Sequence, residues 1–93
     1  MIIAVDYDGT LDDGKTFNLN LVQRLKQAQR SGDSVILWTC REGRSLEKAV
    51  SNLRQMGFIP NAINNNVPEG ISRLGYNSRK ILADVYIDDK SAR

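Results

Sequence analysis

A short, uninterrupted apolar run at the start of the chain, Ile2 to Val5, ends at an aspartate, Asp6. A run of this length and composition is typical of a strand that is buried on both faces, as in a parallel sheet. Similar runs cover Val35 to Trp38 and Val85 to Ile87. The chain is therefore expected to build a sheet whose strands each end in polar residues.

Two amphipathic segments separate these runs and predict helices. Asn18 or Asn20 can cap the first, whose apolar residues follow helical spacing until Gly32 stops it. The second is expected to open at residues 43–45 and to close at Gly57.

The remaining stretch is less regular. Residues 58–63 are expected to form a short third strand that Pro60 interrupts, and residues 64–75 a loop with one helical turn after Pro68. Alternating strands and helices predict an α/β fold, a Rossmann-like three-layer sandwich with a mainly parallel sheet. The chain has 93 residues, so we expect a single domain over 1–93.

Composition limits what this domain can do. Cys40 is the only cysteine, and no basic, apolar leader precedes the first strand, so a reducing, cytoplasmic setting is expected. No apolar run approaches the ~20 residues that span a bilayer, so no membrane partner is expected. The net charge of +2 comes without Lys or Arg runs, and nucleic acid is not indicated, although phosphorylated ends stay open as substrates.

The chain contains no histidine. This removes Ser-His-Asp and Cys-His mechanisms and most zinc sites. Chemistry must come from carboxylates, lysine, hydroxyls and the backbone, with or without a hard metal ion.

Asp6 and Asp8 are two residues apart at a strand end, a spacing that points both carboxylates to one side. Two adjacent carboxylates resist ionising together, so their pKa values separate, and one can act as nucleophile or ligand while the other carries a proton. Gly9 allows a sharp turn and an amide that approaches an anion. The pair alone fits a turn with two solvated aspartates equally well.

A second acidic pair, Asp88 and Asp89, follows the last apolar run. Because the carboxyl ends of parallel strands meet at one edge, these carboxylates are expected near Asp6, where magnesium would neutralise them. Thr39 and Lys80 could hold a phosphate, although each alone fits an ordinary strand-end threonine or a solvated lysine. Arg41 and Arg79 are weaker candidates, while Trp38 and Cys40 are expected to pack rather than to act in catalysis.

Taken together, these residues resemble the motifs of the haloacid dehalogenase (HAD) superfamily. Its first motif stands here as Asp6-Tyr7-Asp8-Gly9-Thr10 after the apolar strand, and its second as a strand ending in Thr39. Its third is Lys80, and its fourth the Asp88-Asp89 pair. The four occur in order over nearly the whole chain. More narrowly, residues 38–43 and 79–89 look like small, cap-less bacterial or phage-type members.

The resemblance implies a magnesium-dependent phosphohydrolase that cleaves a phosphate monoester. Asp6 would attack phosphorus and form an aspartyl-phosphate, and Asp8 would serve as general acid and base. Phosphate-binding candidates are Gly9, Thr10, Thr39, Cys40, Arg41 and Lys80; metal-ligand candidates are Asp6, Asp8 (through its carbonyl), Asp88 and Asp89.

Two features set expectations about access. The chain ends four residues after Asp89, where family members usually continue, which suggests a minimal or truncated member. No stretch between the motifs is long enough for a cap domain. We therefore expect an open site with weak, broad activity, or one completed by a second copy in a homo-oligomer or by a large substrate.

Two other functions fit parts of the pattern. A receiver-like signalling domain also places aspartates, Thr and Lys around magnesium, but its phosphorylated Asp follows a middle strand, where this chain has Thr39. A catalytically weak phospho-ligand binding domain would carry the same residues, and measured turnover would separate it from an enzyme.

Overall fold

The computed structural model describes residues 1–89; residues 90–93, the end of the expected 1–93 domain, lie outside the described residues. The elements in chain order are β1 (Ile2–Asp6), α1 (Leu19–Arg30), β2 (Ser34–Trp38), α2 (Gly43–Gln55), β3 (Ala62–Ile63), α3 (Pro68–Leu74) and β4 (Val85–Ile87).

The strands form one sheet in the order β3-β2-β1-β4, and every neighbouring pair is parallel. This confirms the predicted α/β fold. The chain runs from β1 to β2 and then β3 on one side of β1, and it then crosses over so that β4 pairs with the other side of β1. The junction of β1 and β4 is therefore the switch point of the sheet, where the strand ends open a crevice for ligands.

Alternation along β1 divides the core between the two faces of the sheet. Ile3 and Val5 pack with buried residues of α1 and α2, and Ile2 and Ala4 pack with buried residues of β2 and the 67–83 segment. On that second side α3 approaches closely, since a Cβ on Gly70 would lie 3.6 Å from Ile2 Cδ1. Helices α1 and α2, the sheet, and the α3 segment make the three predicted layers.

Local signals account for the helix boundaries. Asn18 caps α1, because its Oδ1 accepts a hydrogen bond from the Leu21 amide at 3.1 Å. Helix α2 begins at Gly43, as expected. Helix α3 begins at Pro68, because proline suits the first turn of a helix. With seven residues it is longer than the single turn expected there. It ends at Gly75, which has φ +83°.

The expected third strand over residues 58–63 is wrong in extent, because only Ala62 and Ile63 pair with β2. Phe58 instead turns into the core, where it is fully buried, and Pro60 has no amide to donate to a ladder. Among residues 1–89, no helix has both the length and the apolar character needed to cross a membrane.

Candidate active site

The carboxyl ends of the three longer strands meet around a pocket of about 270 Å³, here called the Asp6 pocket. Four of the predicted site residues line it: Asp6, Thr39, Cys40 and Asp88. Its other lining residues are Ala4, Trp38, Tyr86 and Ile87. The sheet thus brings together one residue from the first motif, one from the second and one from the fourth, at the edge where ligands bind in this fold.

Thr39 is buried and held from both sides. Its amide donates to Asn64 Oδ1 at 2.8 Å, and its hydroxyl oxygen accepts from the Arg41 amide at 3.1 Å. Because a hydroxyl can donate as well as accept, the Thr39 O–H keeps a hydrogen for a ligand in the pocket. Asn64 adopts φ +50°, a left-handed conformation that asparagine tolerates better than most residues.

Three other predicted residues lie in a second pocket of about 310 Å³: Gly9, Thr10 and Asp89. The Gly9 amide donates to the Asp12 carbonyl at 2.8 Å, so this turn uses it internally. The Thr10 hydroxyl is buried and has no hydrogen-bond partner among residues 1–89. The structure therefore does not bring Gly9, Thr10 or Asp89 into the lining of the Asp6 pocket.

Asp8 and Arg41 face each other in an ion pair. Arg41 Nε lies 3.2 Å from Asp8 Oδ1 and 3.0 Å from Oδ2, and its Nη2 lies 2.8 Å from Oδ1. Arg41 also donates to the Ser45 carbonyl at 3.2 Å, and its guanidinium carbon sits 4.7 Å from the centre of the Tyr7 ring. Stacking and a bidentate geometry are what a guanidinium provides and an ammonium does not.

Lys80 is exposed in the segment between α3 and β4 and does not line either pocket described above. The segment itself is firmly anchored by buried Asn66. The side-chain amide of Asn66 donates to the Ser78 and Lys80 carbonyls, at 2.9 and 3.3 Å, and its oxygen accepts from the Leu82 amide at 2.7 Å. Reaching the pocket would require the flexible lysine side chain to extend from this anchored backbone.

No protein-family model matches the chain, and no curated protein matches it. Among solved structures, a conserved protein from Bacteroides thetaiotaomicron superposes with a TM-score of 0.80 and is 37% identical, over 97% of this chain and 76% of that one. The chain belongs to the family of that conserved protein. The relationship extends the observed α/β fold to a relative of this chain.

The surroundings of Asp6 and Asp8 shift the pKa values of these two carboxyl groups in opposite directions. Burial raises the pKa of Asp6, the Tyr7 amide opposes this by donating to Oδ1 at 2.9 Å, and the charges of Asp8, Asp89 and Asp88 raise it further. For Asp8, the hydrogen bonds from Arg41 lower the pKa. The predicted divergence of the pair is present, but in the direction that protonates Asp6 more readily than Asp8.

Two carboxylates, those of Asp6 and Asp88, line the Asp6 pocket and are its candidate magnesium ligands. Among residues 1–89, no three acidic or cysteine side chains converge into a ready-made metal cage. Magnesium, however, keeps several waters and binds through one or two carboxylates together with substrate phosphates. Asp6 and Asp88 share one pocket. Burial is the main cause of the raised pKa of Asp6, and acidic neighbours raise it further, a repulsion that a cation would relieve. Asp6 and Asp88 thus match the one or two protein carboxylates that such a magnesium site uses.

Trp38 and Cys40, expected to pack rather than to act in catalysis, are both exposed and line the Asp6 pocket. Trp38 ends β2 where the covering layer has stopped, so an apolar strand run does not bury its last residue. Sequence reasoning also missed Tyr86 as a site residue. The sequence does carry a signal for it, because side chains alternate between the two faces of a strand. Tyr86 precedes Asp88 by two positions, so both side chains are expected on the same face.

Proposed function

We propose that this protein is a magnesium-dependent phosphohydrolase of the HAD superfamily that cleaves a phosphate monoester through an aspartyl-phosphate on Asp6. One observation carries the proposal: Asp6, Thr39 and Asp88 line a single pocket at the switch point of a parallel sheet. Strand ends at such a point are where this architecture places its ligands.

Asp6 is suited to the nucleophilic role. The Tyr7 amide holds Oδ1 at 2.9 Å, which orients the carboxylate and leaves Oδ2 to attack phosphorus. The new bond joins this oxygen to phosphorus as the ester bond breaks, and the alcohol oxygen leaves with a proton supplied by Asp8. Water, deprotonated by Asp8, then attacks the aspartyl-phosphate, restoring Asp6 and releasing inorganic phosphate.

Phosphoryl transfer depends mostly on positioning and on neutralising charge. Thr39 can donate its O–H to a phosphoryl oxygen, and Cys40 lines the pocket beside it. Magnesium held by Asp6 and Asp88 would offset phosphoryl charge, which otherwise meets carboxylates. Attack also requires the ionised form of Asp6, whose pKa is raised in the free protein.

A second candidate, a weak phospho-ligand binding domain, is favoured by one feature. Arg41 holds Asp8 as a carboxylate in the free protein, and an ionised Asp8 cannot protonate a leaving group. In an enzyme this ion pair must open when substrate binds. In a binding domain it would persist, and Asp6 would show no turnover.

Hydrolysis of a chromogenic aryl phosphate separates these functions. Activity should require magnesium, vanish in excess chelator and return when magnesium is restored. Asp6→Asn should be inactive, whereas Glu47→Gln, the same chemical change on the exposed surface of α2, should retain activity. Turnover that persists in excess chelator, or in Asp6→Asn, would contradict the proposed mechanism.

A further inference from the structure

One wall of the Asp6 pocket is aromatic. Trp38 and Tyr86 both line it, and they are 50% and 44% exposed. Aromatic side chains of this size gain substantially from burial, and these two are adjacent rather than scattered over the surface. Two exposed rings that line the same pocket as Asp6 are a surface on which a flat group of a ligand can stack.

The strand register sets this wall directly against the proposed nucleophile. Trp38 on β2 pairs with Asp6 on β1, and Tyr86 on β4 pairs with Ala4, two residues before Asp6. Paired residues of neighbouring strands face the same side, with strands about 4.8 Å apart. Ala4, which is almost fully buried, also lines the pocket.

The wall is also ordered before any ligand arrives. The Tyr86 hydroxyl donates to the Ile81 carbonyl and accepts from the Ala83 amide at 3.2 Å. Trp38 packs against Tyr86 edge to face, with ring centroids 6.0 Å apart and planes at 62°. A surface whose rings are already fixed loses little conformational entropy when a flat group stacks on it.

We propose that the Trp38–Tyr86 wall binds the planar ring of the substrate, which makes the substrate a small nucleotide-like phosphate monoester, such as a nucleoside monophosphate. This rests on the proposed function, which puts the phosphate at Asp6. Because Trp38 lies one strand spacing from Asp6, ring and phosphate must be joined by a short linker.

The charges of the pocket favour a mononucleotide over a nucleic acid strand. Its described lining includes two carboxylates and no Lys or Arg. Proteins that hold single strands combine aromatic platforms with a basic groove that follows the backbone. Here the platform is present, and the lining within residues 1–89 holds no basic side chain, so a single phosphate is the fitting partner.

Trp38 is the only tryptophan of the chain, so its fluorescence reports on this wall alone. Adenosine should quench the emission saturably in chelator, without any turnover, whereas ribose should not. Adenosine without effect on Trp38 would overturn the inference. Emission that shifts on dilution of the protein would equally overturn it, because a second copy would then cover the wall.

A kinetic comparison uses the ratio of kcat/KM for adenosine 5′-monophosphate to that for ribose 5-phosphate. Trp38→Leu should lower this ratio ~10-fold, the order of one lost stacking contact. Trp38→Phe, which keeps an aromatic face, should retain most of it. Tyr76→Leu, at an exposed tyrosine outside the Asp6 pocket, should leave it unchanged. A ratio equal in wild type and Trp38→Leu would contradict the inference.

These measurements also separate the two proposals. Quenching by adenosine in a protein that hydrolyses no phosphate monoester would support the ring site and reject the proposed function. Magnesium-dependent hydrolysis without quenching and with an unchanged ratio would reject the ring site alone. A Trp38-dependent preference for a phosphorylated oligonucleotide over the mononucleotide would overturn the small-molecule class.

Discussion

Arg41 donates to both carboxylate oxygens of Asp8, at N–O distances between 2.8 and 3.2 Å, while its guanidinium lies over the Tyr7 ring. The pair joins the loop after β1 to the loop after β2, and so connects the first two sequence motifs. It also keeps the proposed general acid ionised in the free protein. Opening this ion pair is therefore a step that the proposed reaction requires.

The first prediction concerns this contact. Arg41→Gln should raise the pKa of Asp8 toward its ordinary value, because the hydrogen bonds from Arg41 are what lower it. Carboxylate NMR titration would measure the shift. Arg44→Gln, the same change at an exposed position of α2, should leave the Asp8 titration as it is in wild type. Identical Asp8 titrations in wild type and Arg41→Gln would refute the assignment.

A second prediction separates the roles of Asp6 and Asp8. Asp6→Asn should abolish the covalent intermediate, since the attacking oxygen is lost. Asp8→Asn should lower kcat by ~10²–10⁴-fold, the usual range for lost proton transfer, and least for esters with good leaving groups. Rapid-quench trapping of phosphorylated protein would measure both effects. A phosphoryl group trapped on Asp6→Asn at another residue would identify a different nucleophile.

A third prediction uses two glycines with similar backbones. Gly9 has φ +82° and Gly14 φ +93°, so alanine at either position should cost roughly 1–2 kcal/mol of stability. A Cβ on Gly9 would also lie 3.4 Å from Asp89 Cβ, whereas one on Gly14 meets nothing within 4 Å. If Asp89 assists magnesium binding, as the HAD resemblance implies, Gly9→Ala should weaken magnesium-dependent activity more than Gly14→Ala. Equal losses would show that the Asp89 position does not matter.

The sequence predicts those structural features that local patterns determine, and it does not predict those that depend on tertiary packing. The buried runs of β1, β2 and β4 and the cap at Asn18 were predictable, because local patterning fixes them. The length of β3 was not, because Phe58 gains more from the core than from a ladder. The exposure of Trp38 was not predictable either, since it depends on where the layer covering the sheet ends.

The same limit applies to the site. Strand ends predicted that Asp6, Asp8, Thr39, Asp88 and Asp89 would meet. Asp6, Thr39 and Asp88 share the Asp6 pocket, whereas Asp89 lines the second pocket and Asp8 lines neither of the two. The Asp8–Arg41 pair was hidden, because the two residues are far apart in sequence and the spacing of neither motif encodes a side-chain direction.

A fourth prediction concerns acid stability. Arg73 holds the pKa of Asp84 at about 2, and Asp84 Oδ2 also accepts from the Ile2 amide at 2.6 Å. Since the folded pKa lies below the unfolded value of about 3.9, the ionised group stabilises the fold above pH ~4, and this contribution is lost as pH falls from ~4 toward ~2. Asp84→Asn should thus be less stable than wild type at neutral pH, with the gap closing toward pH 2. Urea unfolding across this range would measure it, and a gap independent of pH would contradict the ion pair's role.

The last prediction compares two buried threonines. The Thr10 hydroxyl has no hydrogen-bond partner within residues 1–89, and a buried polar group without one costs about 1–3 kcal/mol. Thr10→Val, which keeps the shape and removes the hydroxyl, should leave the protein as stable as wild type or more so. At Thr39 the hydroxyl accepts from the Arg41 amide, so Thr39→Val should lose about 0.5–1.5 kcal/mol. Urea midpoints of the two variants would test this contrast, since equal m-values would assign any difference to stability alone. If Thr10→Val were as destabilised as Thr39→Val, the Thr10 hydroxyl would have to bind an ordered water or an ion in the pocket it shares with Gly9 and Asp89.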